Sequence, residues 1–407
     1  MNSKNIIVIG GGAAGFFSAI NCAILQNNTV TLLEKSSKLL SKVRVSGGGR
    51  CNVTHACFDN AVLIKNYPRG EKELRNAFSR FSVSDTIKWF EQRGVELKAE
   101  ADGRMFPVTD KSETVIECLM QEAEKAGVKI KLNVDITEIL INSDSTFTLK
   151  ANGGGVFECD KLIIATGGNS KDSAYDWLKK LGHTIIKPVP SLFTFNIPDN
   201  AITQLMGVSV PHAKVRVVGT KLETEGPLLI THWGMSGPSV LKASAWGARQ
   251  LSDMNYNFTA QINWLLKYTE EKLRIEFANQ RSENSAKLIF KNCPVELPKR
   301  LWEYFVSKAG IPETIRWADL PKKNANILIT IILNDEYKVH GKTTFKEEFV
   351  TCGGVSLKEI DFGTMQSKLV PDLYFAGEIM DVDGITGGFN FQNAWTSGWI
   401  AAQSISS

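Results

Sequence analysis

The chain is 407 residues long, 43% hydrophobic and 22% charged, and its 47 Lys and Arg against 43 Asp and Glu leave a net charge of +4. That length points to two or three domains of an ordinary soluble protein, and no run approaches the roughly 18 apolar residues that would span a membrane. The seven cysteines, scattered and odd in number, fit reduced thiols rather than a disulfide framework.

The N-terminus enters a strand directly, with no basic or apolar leader, so no signal peptide and a cytoplasmic location are expected. Residues 6–15 read Ile-Ile-Val-Ile-Gly-Gly-Gly-Ala-Ala-Gly, an apolar β run breaking into glycines. Gly10, Gly12 and Gly15 have the spacing G-x-G-x-x-G, and Glu34, 19 residues beyond Gly15, ends the next apolar run. Gly10 permits a tight strand-to-helix turn, Gly12 lets backbone approach a pyrophosphate, and Gly15 lets the helix lie close on the strand. The pyrophosphate would sit on the helix N-terminus near Ala13 and Ala14. Glu34 can accept from both ribose hydroxyls and would repel a 2′-phosphate, so the nucleotide expected here is not NADP.

Residues 36–55 read as a polar, glycine-rich loop, and apolar spacing predicts one amphipathic helix from Leu74 to Phe90 and another from Glu113 to Ala126. Strand-like runs follow at 128–141, 145–150 and 161–166, the last ending in Thr166-Gly167-Gly168. Residues 190–265 alternate like a small β domain, 268–325 have helical spacing, and 327–333, read as an alternating run, leads with the charged stretch 334–348 back out of the insertion. Glycine-rich strand character returns from Val350, and the last helix, about Gln392 to Ile405, puts Ala394, Gly398, Ala401 and Ala402 on one face. The expected fold is therefore α/β, a Rossmann-like domain discontinuous in sequence (1–187 and 346–407), interrupted by a β domain (188–265 and 326–345) and a helical subdomain (266–325). A C-terminal segment that returns to the first βαβ unit suits FAD, whose flavin and ribityl chain extend beyond that unit.

Several motifs together resemble one family. They are Val8 to Gly15, Ser46-Gly47-Gly48-Gly49-Arg50-Cys51-Asn52, Gly103-Arg104-Met105-Phe106-Pro107, Thr231 to Pro238, and the block Gly377 to Asn390. The chain looks like the BaiN-like (YhiN-like, aminoacetone-oxidase-like) family of FAD-dependent oxidoreductases over its whole length. The resemblance implies that Gly10, Gly12, Ala13, Ala14 and Gly15 hold the FAD pyrophosphate, with Glu34 on the ribose and Lys35 on the adenine side. Backbone at Val134 or Ile136 would meet the adenine, and Thr166, Gly167 and Gly168 would approach the dinucleotide a second time. Gly377, Glu378 and Asp383 would belong to the ribityl and pyrophosphate region. Gly387, Gly388, Phe389, Asn390 and Phe391 would open the last helix beside the flavin, where helix N–H groups stabilise negative charge.

By the same resemblance Gly49, Arg50, Cys51 and Asn52 lie along the flavin. Arg50 is expected to anchor a cofactor or substrate anion. Cys51, a thiol beside a guanidinium, is a candidate for a lowered pKa and redox chemistry, set against plain packing. His232 and Ser236 are candidates for a substrate cavity, set against a capped turn, while His55 and His183 read as surface or core. No metal site is expected. The segment after Gly168 is shorter than the family's usual one, which leaves cavity shape and substrate open.

The activity implied is flavin-dependent reduction of a polarised C=C bond, with NAD(P)H as a transient donor because no second G-x-G-x-x-G is present. The alternatives are an oxidase of a small amino ketone, a uridine-to-dihydrouridine reductase acting on ribosomal RNA, and a non-catalytic flavin redox sensor. Small-molecule and RNA substrates both stay open.

Overall fold

The computed structural model describes residues 3–25, 28–343 and 350–406; the expected domain boundary at 345/346 lies outside them. The chain divides into two compact units, the described residues of Met1–Ser191 and Phe345–Ser407, and those of Leu192–Thr344.

The first unit is built on strands β1 (Asn5–Ile9), β2 (Thr29–Leu33), β3 (Lys129–Lys131), β4 (Lys161–Ile164) and β5 (Leu373–Phe375). They pair in parallel in the order β5-β4-β1-β2-β3, and two short antiparallel strands, Ile360–Asp361 and Gln366–Ser367, extend the β5 edge. β1 lies at the centre. A parallel strand covered on both faces needs apolar side chains in both directions, hence the unbroken run Ile6 to Ile9, all four buried. Each such side chain contributes roughly 1.5–3 kcal/mol on burial.

Helix α1 (Ala13–Ile24) leaves β1 through the glycine turn, and helix α2 (Phe389–Ser406) packs directly on α1. The small face expected on the last helix makes that contact possible. A Cβ on Gly398 would stand 3.0 Å from the Ala14 carbonyl oxygen. Gly10 has φ +116°, and a Cβ there would lie 2.3 Å from the carbonyl oxygen of Ala165. On Gly15 a Cβ would lie 1.8 Å from the Gly10 carbonyl oxygen, so the first turn of α1 closes on its own strand only without a side chain.

Three local expectations differ from the structure. The apolar run Leu74 to Phe90 is two helices, Glu71–Arg80 and Val83–Glu91, because Ser82 and Asp85 form a capping box that starts a new helix. The polar loop 36–55 contains helix Ser41–Gly49, broken at Ser46–Gly48 where Gly47 and Gly48 have φ +58° and +71°. The β-branched run 327–333 is helical, part of Lys322–Asn334, and strand Asp335–His340 begins only after it. Leu328, Ile329, Ile331, Ile332 and Leu333 are all buried, so packing overrides the β propensity of the run.

The second unit is a seven-stranded sheet, antiparallel at every pair, with strands Ser209–Val217 and Glu223–Thr231 near its middle. Helices Glu270–Glu283, Lys299–Lys308 and Lys322–Asn334 share one apolar cluster with it, in which Trp264, Trp302, Trp317 and Phe305 meet Val215 and Ile262. Strands and helices expected as separate domains thus form one core.

Gly15→Ala should cost about 3 kcal/mol, at the upper end of overpacking penalties, because the obstacle is backbone. Urea unfolding reads this as a lowered midpoint at unchanged slope, and a midpoint equal to wild type would contradict the seat of α1 on its turn.

Candidate functional site

The N-terminus of α1 follows from its sequence. Gly12 is its N-cap, no side chain caps the helix, and no acidic residue stands in its first turn. A Cβ on Gly12 would meet nothing within 4 Å. The first backbone N–H groups and the positive end of the helix dipole therefore face space rather than protein, the arrangement that takes a phosphate.

Glu34 closes the other side of the turn. Its Oε2 accepts from Gly11 N–H at 2.7 Å, and its Oε1 accepts from Ser36 N–H at 2.9 Å and the Ser36 hydroxyl at 2.8 Å. Gly10 N–H in turn donates to the Leu33 carbonyl at 2.8 Å. The carboxylate is thus held in place while its oxygens, with about four acceptor positions between them, keep capacity for a ligand hydroxyl.

From this turn opens a cavity of about 430 Å³. Its lining brings together Gly10, Glu34, Lys35, Val134, Ile136, Thr166 and Gly167, residues spread over 158 positions of the chain. Val134 offers less than expected, since its N–H already donates to the Glu34 carbonyl at 2.9 Å. The cavity also shows what sequence reasoning missed. Asn169, Tyr175 and Trp177 line it, all from the segment after Gly168, where no motif marks them. An aromatic pair next to a strand-end turn was the only available signal.

A second cluster joins the two ends of the chain. Asn52, in the amide orientation that satisfies its neighbours, accepts from Gly388 N–H at 3.0 Å and donates to the Thr54 carbonyl at 2.9 Å. The Thr54 hydroxyl donates to Gln392 Oε1 at 2.6 Å, and Trp395 Nε1–H donates to the Val53 carbonyl at 2.9 Å. Asn390 brackets Gly384, accepting from its N–H at 2.8 Å and donating to its carbonyl at 3.0 Å. Asn52 to Thr54 and Gly388 to Trp395 are therefore bonded to one another, more than 330 residues apart in sequence.

His55 belongs to this cluster, although the sequence marks it only as surface or core. Its ring stacks on Phe389 at 4.6 Å, and its Nδ1 lies 3.0 Å from the Gly387 carbonyl, which can only accept, so Nδ1 carries the proton. His183, by contrast, is a buried tie, with Nδ1 3.2 Å from Glu359 and Nε2 3.1 Å from the Ser367 hydroxyl.

Of the candidate residues, Cys51 is packed, one of the two alternatives left open for it, while Arg50 and Asp383 are already partnered within the protein. Cys51 is fully buried with φ +61°, and burial pushes its thiol up to about 12, against a smaller opposing effect of Ser46. Burial thus disfavours a thiolate there, and the neighbouring guanidinium is directed elsewhere. Arg50 pairs with Glu100 at 2.6 Å and Asp110 at 3.5 Å and stacks over Phe106 at 3.9 Å. Its charge is already partnered, which weakens the case for an anion anchor. Asp383 is completely buried, bonded to Arg69 through both carboxylate oxygens and to the Ser191 hydroxyl at 2.7 Å. Burial pushes its carboxyl up and the Arg69 ion pair opposes that shift. It fastens the block that precedes α2 and does not present a free edge.

Glu378 accepts from Thr351 N–H at 2.7 Å and pairs with Lys42 at 2.6 Å, and Gly377 N–H donates to the Ser397 hydroxyl at 2.8 Å. Gly168 lies against this group, where a Cβ would be 2.4 Å from Thr351 Oγ1, a buried hydroxyl with no hydrogen-bond partner among the described residues. His232 lies in the other unit, exposed just after strand Glu223–Thr231, with its ring 3.9 Å from Trp233. Among the described residues no group of His, Cys, Asp and Glu is arranged to hold a metal, and no helix is long and apolar enough to cross a membrane.

Comparison with known proteins places this geometry in context. The family described as the HI0933-like protein Rossmann domain matches residues 4–404. A Haemophilus influenzae protein named ribosomal RNA dihydrouridine synthase is 33% identical over 99% of this chain and 98% of its own. A Clostridium scindens protein named 3-dehydro-bile acid delta(4,6)-reductase is 28% identical over 98% of each. Among solved structures, 3-ketosteroid delta1-dehydrogenase from Sterolibacterium denitrificans covers 100% of both chains at a TM-score of 0.53 and 11% identity, a likeness of fold.

Alkylation of the native protein with iodoacetamide near pH 8, mapped by mass spectrometry, should modify the half-buried Cys57 well before Cys51. Equal rates would contradict the buried, neutral state of Cys51.

Proposed function

The chain belongs to the HI0933-like Rossmann family and is an FAD-dependent oxidoreductase, and from that premise we propose that it reduces a C=C bond conjugated to a carbonyl, with NAD(P)H as transient electron donor. The residues present fit FAD. The uncapped α1 N-terminus over open space at Gly12 is the observation that carries the reading, because it supplies a phosphate seat that no side chain among the described residues fills. FAD, when bound, supplies the hydride-transfer chemistry.

The protein's own residues supply the rest. Backbone N–H groups at Ala13 and Ala14 would hold the pyrophosphate, and Glu34, fixed by Gly11 and Ser36, would accept from the adenosine ribose. Lys35, Val134, Ile136, Thr166 and Gly167 would enclose the adenosine half in the 430 Å³ cavity. The far end falls to the N-terminus of α2, whose first turns are tied to Asn52, Thr54 and Tyr67. Its first-turn N–H groups and dipole would stabilise negative charge there, while the Arg69–Asp383 pair holds the preceding turn in place.

A polarised C=C bond as substrate is supported by what two full-length relatives are named for. A uridine ring and a 3-oxo-steroid both present a double bond conjugated to a carbonyl, and the difference between them is the scaffold. The 33% relative favours a uridine in ribosomal RNA as the substrate of this chain, and the chain's net charge of +4 is compatible with that partner.

Anaerobic mixing of the holoprotein with NADH or NADPH, followed at the flavin absorbance band, should bleach the flavin. Reoxidation should follow on adding an acceptor that carries a conjugated C=C bond. Bleaching by neither donor would overturn NAD(P)H as electron source, and reoxidation by oxygen alone would favour the oxidase reading.

A further inference from the structure

Residues 169–180, the short segment that departs from the family's usual pattern, have a place in the fold that the reading above does not use. The segment is a 3₁₀ turn, Asp172–Tyr175, running into one short helix, Asp176–Lys180. Tyr175 and Leu178, three positions apart, are both buried and anchor it to the unit. Asn169 N–H donates to the Tyr175 phenol oxygen at 2.8 Å, which closes the segment back on the Thr166-Gly167 turn. Burial pushes that phenol up to about 12, so it stays neutral and keeps this role over the whole working range of pH.

Trp177 is different. Its indole is only partly buried and lines the same cavity as Glu34, Val134 and Ile136. Its Nε1–H donates to the Ala174 carbonyl at 2.9 Å within its own segment, which fixes the ring and satisfies its polar atom. An indole so oriented offers apolar ring surface to the cavity and no donor. A planar base is the ligand that matches such a wall when a ribose-binding carboxylate stands in the same cavity.

We propose that segment 169–180 is the outer wall of an adenosine subsite and that Trp177 stacks on the adenine, so that the ADP moiety of the dinucleotide is gripped by a residue outside the glycine fingerprint. The proposal rests on the FAD reading and deepens it. Base–aromatic stacking is lost on substitution by alanine at a cost on the order of tenfold in affinity, equivalent to about 1.4 kcal/mol. Because adenine is the only part contacted, the loss should fall on ligands that carry it.

The test is titration of the full-length apoprotein with FAD, ADP and FMN in wild type, Trp177→Ala and Trp177→Phe, followed by calorimetry. Trp177→Ala should weaken FAD and ADP about tenfold, leave FMN unchanged, and be largely restored in Trp177→Phe. In wild type, ADP should also quench tryptophan fluorescence, and that quench should vanish in Trp177→Phe, a readout that survives even if the alanine variant folds poorly. Wild-type affinity for FAD and ADP in both variants overturns the stacking role and leaves FAD standing. Equal weakening of FMN and FAD also overturns it, since the defect would then be general. Wild-type protein that binds neither FAD nor ADP overturns the cofactor reading and this proposal with it.

Discussion

The site depends on one close approach, the seat of α1 on its own turn. Gly15 lies so near the Gly10 carbonyl that no side chain fits between them, and Gly398 brings α2 onto the Ala14 carbonyl from the other side. Two missing side chains, at Gly15 and Gly398, therefore let α1 lie close between the sheet and the last helix. That packing fixes where the helix N-terminus points. With no cap of its own and open space at Gly12, the N-terminus becomes the charge feature around which Glu34 and the 430 Å³ cavity are arranged.

The second constraint is the joining of chain ends. Asn52, Thr54 and Val53 bond to residues 388, 392 and 395, and the buried Arg69–Asp383 pair fastens the turn between β5 and α2. The energetic contrast with Arg50 is informative. Arg50–Glu100 is about a third exposed on each side, where such pairs contribute roughly 0–1 kcal/mol. Removing one partner of a buried pair such as Arg69–Asp383 costs roughly 3–5 kcal/mol, because a desolvated charge is left behind. The ion pair that shapes the site is the one hidden beneath it, and the conspicuous Arg50 of the Gly-Gly-Arg-Cys-Asn motif is spent on Glu100, Asp110 and Phe106.

What the sequence makes legible follows physical rules of short range. The apolar run of β1, the glycine spacing, Glu34 and the small face at 394–402 each impose a local geometry that only a few residue types meet, and all are found where those rules place them. The run 327–333 was misleading because its β-branched residues look extended until their burial in the second unit's core is known. Cys51 left redox chemistry and packing both open for a related reason, since a neighbour in sequence says nothing of where a guanidinium points. His55 was invisible because its meaning comes from partners far along the chain, Gly387 and Phe389, and Trp177 because the cavity it lines is built from residues as distant as Gly10 and Glu34.

The proposed site holds a single cofactor between an N-terminal turn and a C-terminal helix. The direct measurement is the flavin released by heat from the full-length protein purified without added cofactor, identified and quantified by chromatography. One FAD per chain is the predicted result. FMN in its place, or protein that neither carries nor takes up any flavin, would contradict it.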